Sequence, residues 1–253
     1  MKKQRGVTLI EIMVSMVLGL GLIAGIGSLF IQSQKSFTLQ RNVSDMTDDA
    51  TFALEDFAKG VLLSGYAEDG QTTSFPAGTN VLGSGMDFNA GEFIKGTDDA
   101  IIYRFRLDTS QSQEKNSICI VDSYDPNDIV PVYVNYRSSD NSLSCKSKTA
   151  TLPMIVDVEK LEFRYGVRVK TYSPTDSTKR TPENDTFYYV KSTGVTDWKN
   201  VFAVKVFLVM RSADKNLTRK NVKYKIENDE TEGVDNRLYK VFTKTIYLRT
   251  SEQ

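Results

Sequence analysis

Histidine is absent from all 253 residues. That removes Ser-His-Asp and Cys-His catalysis and the commonest zinc ligand. Cysteine is nearly absent. The two present, Cys119 and Cys145, make no CxxC metal spacing. A charge excess of either sign is missing too: Lys and Arg number 32, Asp and Glu 32. Beyond a short basic N-terminus there is no nucleic-acid footprint, and the sequence demands no nucleic acid as a partner. No Gly-Lys-Ser/Thr phosphate loop or Rossmann glycine pattern occurs. The expectation is a chain that is not an enzyme and holds no cofactor and no metal.

What is present begins at the N-terminus, in "KKQRGVTLIEIMVSM". From Val7 to Ile31 the one charged residue is Glu11. A helix of about 25 residues, at about 1.5 Å each, spans about 37 Å and crosses a bilayer core. Lys2, Lys3 and Arg5 precede it, so the positive-inside rule leaves the N-terminus in the cytoplasm and sends the rest across. A cleaved secretory signal needs a shorter apolar core and an Ala-x-Ala-like site; here the run flows into polar, helix-like "QSQKSFTLQRNVSDM". A plain anchor explains the length but neither Gly6 nor Glu11. A carboxylate within an apolar span is costly and points to function, the alternative being a glutamate tolerated near the interface. Gly21 and Gly25 form a GxxxG, and Ser15 with Gly19 a second small pair, the residue type that lets helices approach closely.

The stretch "RGVTLIEIMVSM" resembles the class III signal of type IV pilins and type II secretion pseudopilins: a basic leader ending in glycine, then an apolar helix with glutamate at its fifth position. Gly6 matches the residue before the cut. Val7, where the family most often has Phe, would be the new and methylated N-terminus. Glu11 falls at the fifth mature position. The resemblance implies a leader over 1–6 removed by prepilin peptidase. It also implies pairing of Glu11 with the α-amine of a neighbouring subunit, in a low-dielectric layer where an opposite charge offsets the cost of the carboxylate.

Beyond Ile31, Leu39, Val43, Met46, Ala50, Ala53, Phe57 and Val61 recur at intervals of three and four. This stripe predicts an amphipathic continuation of the helix over 32–64, ending near Gly60 to Gly65, packed on a sheet. Residues 65–99 read as loop or short irregular strands. Later come strand-like runs, among them "AIIYRFRL", "IVPVYVNY", "VEKLEFRYGV", "VFAVKVFLVM" and "LYKVFTKTIYLR". In the first, Ile101, Tyr103, Phe105 and Leu107 alternate with Arg104 and Arg106, which predicts one buried face. The fold class expected is α+β and pilin-like: a long N-terminal helix, membrane-spanning over 7–31, packed on an antiparallel sheet within one β-rich domain over 65–253.

Cys119 falls in the strand-like "SICIV" and Cys145 in the loop-like "SDNSLSCKSK". Export to an oxidising compartment favours one bridge between them over two free thiols. "NDETEGVDN" opens like a calcium loop through Asn228, Glu230 and Glu232, but Tyr239 stands where the closing carboxylate is needed, so it reads as a solvated acidic loop. Asp122, Asp125 and Asp128 read as turn chemistry.

The C-terminal half resembles PilW-type minor pilins, with Trp198, Arg211, Ser212, Leu248 and Arg249 carrying the match in "DWKNVFAVKVFLVMRS" and "YKVFTKTIYLR". That resemblance implies a protein of the bacterial inner membrane with a periplasmic C-terminal domain, later extracellular in the pilus. It implies a role in priming assembly and twitching motility. The partners it implies are prepilin peptidase, other minor pilins, the major pilin and a tip adhesin. A minor pseudopilin of type II secretion is the alternative.

Overall fold

The computed structural model describes residues 8–66, 75–106, 119–120, 124–125, 128–169, 172–173, 176–180 and 186–248. The chain divides into two compact units, Met1–Asp45 and Met46–Gln253. Helix α1 (Leu9–Leu62) accounts for the described part of the first unit and opens the second.

In the second unit, α1 buries Met46, Ala50, Ala53, Phe57 and Val61. Intervals of three and four keep these on one face, so one stripe enters the core. Val43, counted in the expected stripe, is 40% exposed. Gly60 sits where the helix meets a ring: a Cβ there would lie 2.0 Å from the Tyr103 hydroxyl, so only glycine lets the two approach.

The strands that follow are β1 (Ile94–Gly96), β2 (Ala100–Arg106), β3 (Ile129–Arg137), β4 (Ser142–Lys146) and β5 (Thr151–Ile155). They form one antiparallel sheet in chain order. Then come β6 (Val158–Val169), β7 (Tyr172–Ser173), β8 (Asp176–Arg180), β9 (Thr186–Val190), β10 (Val201–Arg211), β11 (Lys223–Ile226), β12 (Asp229–Glu232) and β13 (Tyr239–Tyr247). A second antiparallel sheet has the order β13-β10-β6-β9, and β7–β8 and β11–β12 are two-stranded ribbons. The expected single sheet is thus two. The chain changes sheet between β5 and β6, where Asp157 takes a left-handed conformation with φ 57°. Arg211 fixes this corner: its N–H donates to the Asp157 carbonyl at 2.9 Å, and its guanidinium pairs with Asp157 and Glu159 at 3.7 and 3.5 Å.

One apolar core joins the buried stripe of α1 to both sheets. Its centre is an aromatic column. Phe57 lies 5.6 Å from Phe163, Phe163 6.5 Å from Tyr165, and Tyr165 4.7 Å from Trp198 in an edge-on contact. The sheets are tied through residues 97–99. The Tyr165 hydroxyl donates to the Thr97 carbonyl at 2.8 Å, and Asp98 accepts from the N–H and hydroxyl of Ser192, both at 2.9 Å.

Strand β2 departs from the expected one-sided burial. Ile102 and Arg104 are buried with Ile101 and Tyr103, while Leu107 lies outside the described residues. The reason is a segment distant in sequence. Residues 75–93 fold over the outer face of β2 and bring Met86 and Phe88 against Ala100 and Ile102. Arg104 fastens that segment, since its guanidinium lies 4.1 Å from the Phe88 ring centre and donates to the carbonyls of Pro76, at 2.9 Å, and Glu92. Burial, against the opposing pull of Glu92, pushes its pKa down to about 10.

Cys119 and Cys145 form a disulfide with their Cα atoms 5.6 Å apart. Cys145 belongs to β4 rather than to a loop, and Cys119 to a turn rather than a strand. The bridge closes a loop of 26 residues, for which the chain-entropy model gives about 3 kcal/mol. Cys119→Ser with Cys145→Ser is expected to lower unfolding stability by about that amount. Thermal melts with and without reductant check this, and coincident melts would show that the bridge contributes nothing.

The acidic "NDETEGVDN" is not an open loop. Asp229–Glu232 is strand β12, and Lys223 on β11 pairs with Glu230 at 2.9 Å. At the other acidic cluster, the Asp125 N–H donates to the Asp128 carboxylate at 3.1 Å, a local turn; Asp122 lies outside the described residues.

Candidate assembly site

Over its first half, the helix of the first unit turns its large apolar side chains outward. From Leu9 to Ile31 every large apolar residue is exposed. Among the described residues this is the one helix long and apolar enough to cross a membrane, and none of its most apolar window is buried. A surface so apolar needs lipid or other helices around it.

At its start the backbone shows how Glu11 is held. Thr8 is the N-cap residue, its carbonyl accepting from the N–H of Glu11 at 3.1 Å and of Ile12 at 3.3 Å. The Glu11 carboxylate reaches back and accepts from the Thr8 N–H and hydroxyl, both at 3.3 Å. This Thr-x-x-Glu arrangement is half of a capping box: the third residue satisfies a donor that the helix leaves open, and its charge suits the positive end of the helix. The pattern was there to be read in "TLIE", and Thr8 is the partner that sequence reasoning missed.

Ser15 and Gly19 follow Glu11 at intervals of four and share its face. The Ser15 hydroxyl donates to the Glu11 carbonyl at 2.7 Å, which removes a polar group from the helix surface. Around Gly19, Gly21 and Gly25 nothing lies within 4 Å of a would-be Cβ, so the backbone is open to a neighbour on two faces. Gly6 and Val7, the expected cut and methylation positions, lie outside the described residues.

Among the described residues no cluster of three or more His, Cys, Asp or Glu side chains could hold a metal ion. The densest charge group, in the second unit, is structural. Glu162 pairs with Arg164 at 2.7 Å and Lys160 at 3.1 Å, and Arg164 also pairs with Glu227 at 3.1 Å. Burial raises the Glu162 pKa, but hydrogen bonds and charge from Arg164 and Lys160 outweigh it and leave the carboxyl below its ordinary value.

The residues behind the C-terminal resemblance are also structural. Trp198 stands in a one-turn helix capped by Asp197, which accepts from the Lys199 N–H at 3.0 Å, and it closes the aromatic column. Ser212 is fully buried and exchanges bonds with Leu238: its N–H donates to the Leu238 carbonyl at 2.9 Å, and the Leu238 N–H donates to its hydroxyl at 3.0 Å. Leu248 is buried just past β13, and Arg249 lies outside the described residues.

Comparison with known proteins gives two family matches. Residues 133–250 match the type IV pilus-assembly protein W family, and residues 1–27 match the prokaryotic N-terminal methylation motif. No curated protein matches. Among solved structures the chain is similar to the type IV-like pilin TTHA1219 from Thermus thermophilus. The two are 11% identical, with 81% of this chain and 97% of that one covered and a TM-score of 0.45. With the methylation motif at its N-terminus and a PilW domain matched over its last strands, the chain is a type IV pilin-like protein.

Proposed function

We propose that this chain is a minor pilin that helps prime type IV pilus assembly in a tip-associated complex. The observation that carries the reading is the methylation motif set on a helix with a wholly outward apolar first half. In this reading prepilin peptidase removes residues 1–6 by cutting after Gly6, and Val7 is methylated. Residues 7–31 hold the subunit in the inner membrane, N-terminus in the cytoplasm, with the β-rich domain in the periplasm. On docking, the Glu11 carboxylate exchanges its Thr8 bonds for the α-amine of a neighbour. The open backbone at Gly19, Gly21 and Gly25 lets helices pack closely. Other minor pilins, the major pilin and a tip adhesin are its partners, and the assembled subunit is extracellular.

The test is a clean deletion in the native host, scored for surface pili, twitching and secreted enzymes. Loss of pili with secretion intact is the expected result. Loss of secretion with pili intact would reassign the chain to a type II secretion machine, which uses the same leader. Gly6→Leu, in the chromosomal copy, is expected to abolish processing, read as a subunit heavier by the six leader residues. A mature-size product from that variant would overturn the assigned cut.

A further inference from the structure

Among the described residues, strand β9 is the edge of the second sheet and pairs with β6 alone. Alternate residues of an edge strand turn their N–H and C=O away from the sheet, a template for another strand. Edge strands are ordinarily blunted by charge, proline or a covering element. β9 reads Thr-Phe-Tyr-Tyr-Val, with no charge and no proline; its first four side chains are exposed, and Val190 is half-buried against the core. Phe187 is 51% exposed and Tyr189 40%.

The outer face beside this edge is aromatic from one side of the sheet to the other. Phe202 on β10 lies 5.3 Å from Phe187, 6.4 Å from Tyr189 and 6.3 Å from Tyr247 on β13. Gly166 on β6 makes the row continuous, because a Cβ there would sit 3.1 Å from the Phe202 ring. Two cations border it: Arg168 lies 5.2 Å from the Phe187 ring centre and Lys205 5.9 Å from that of Tyr189.

The other half of the same face shows what kind of element covers such a surface. There the β11–β12 ribbon lays Tyr224 and Ile226 on Phe207 and Val209. One end of the face is closed by an extended ribbon of this chain, and among the described residues no element covers the aromatic end. The bordering charges disfavour β9-to-β9 pairing with a second copy, which would bring the same cations together, and favour an acidic segment. Lys205 already faces Glu227 at 3.7 Å, whereas among the described residues no carboxylate pairs with Arg168.

We propose that the free edge of β9 takes an extended segment of another pilin-type subunit as an added strand. That segment has apolar side chains at alternate positions lying on the aromatic row, and a carboxylate facing Arg168. Main-chain bonds to β9 give affinity and the alternate side chains give specificity. The identity of the partner as a pilin-type subunit rests on the function proposed above; the edge and its aromatic row do not.

The test places p-benzoylphenylalanine at position 187 of the full-length chain in the native host, irradiates intact cells and maps the joined peptides. The expected result is an adduct with a distinct protein bearing a methylation-type leader, joined through a segment of alternating apolar residues that includes an acid. Tyr189→Lys in the same chain is expected to cut the adduct yield about tenfold, the loss typical of a central aromatic contact, with the melting temperature unchanged. Arg168→Glu is a second variant with the same expected loss. An adduct to a second copy of this chain, to the chain's own residues, or to nothing would overturn the proposal. An alternating segment from a protein without such a leader would sustain the docking edge and remove the pilin-type partner. That outcome separates the two readings.

Discussion

Glu11→Ala is expected to be exported, cut and retained in the membrane, yet to fail to enter filaments. Two physical roles converge on this carboxylate. One is local, the capping bonds from the Thr8 N–H and hydroxyl. The other is the proposed pairing with a neighbour's α-amine. Losing a cap costs about 1 kcal/mol. Leaving a cation unpaired in a low-dielectric layer costs about 3–5 kcal/mol, or roughly a hundredfold or more in occupancy. Glu11→Gln separates the two, since an amide oxygen still accepts from Thr8 but carries no charge. The expected order is therefore near-complete loss of sheared-pilus incorporation for both variants, with cleavage largely intact. Normal incorporation of Glu11→Gln beside a defective Glu11→Ala would show that capping is the role, and that charge pairing is not.

The second large effect is expected at Phe163. Its ring is fully buried between Phe57 of α1 and Tyr165 of the same strand. Phe163→Ala removes the middle of the aromatic column, and the neighbours are fixed by other bonds, Tyr165 through the Thr97 carbonyl. The site therefore collapses poorly, and the expected loss is about 3–5 kcal/mol. Against a typical total of about 5–15 kcal/mol this is severe. Denaturant unfolding of the full chain in detergent measures it. Phe163→Leu, which refills most of the volume, should recover much of the loss, and an equal loss in both variants would show that ring contact rather than volume matters.

The methylation motif, the long helix and most long strands were legible because each signal is local. Glu11 stands out as the one charge in an apolar run, and Met46 to Val61 repeat with the helical period. What the sequence concealed depends on distant segments meeting. Arg104 looked like the solvent side of a half-buried strand; it is buried because residues 75–93 return over it, which alternation within β2 cannot reveal. Cys145 reads as loop beside Asp, Asn and Ser, yet β3 and β5 both pair with its strand. The split into two sheets hangs on a corner at Asp157, a residue with no glycine or proline to announce it. Thr8 is different, because its pattern was local and complete, and the apolar run around it drew attention to Glu11 alone.

The ties through residues 97–99 bear on how the molecule comes into being. Tyr165 reaches back 68 residues to Thr97, and Ser192 reaches back 94 residues to Asp98. The first bond closes about a quarter of the chain and the second more than a third, and the entropy of closing such loops is spent before the core repays it. Acquisition of the native state is accordingly slow, on the order of milliseconds to seconds. Until β6 pairs with it, β9 is an uncharged aromatic strand open to pairing on both sides. A second subunit that engages its edge late, after β6 has taken the other side, would convert the most hazardous stretch of the nascent chain into the last contact to form.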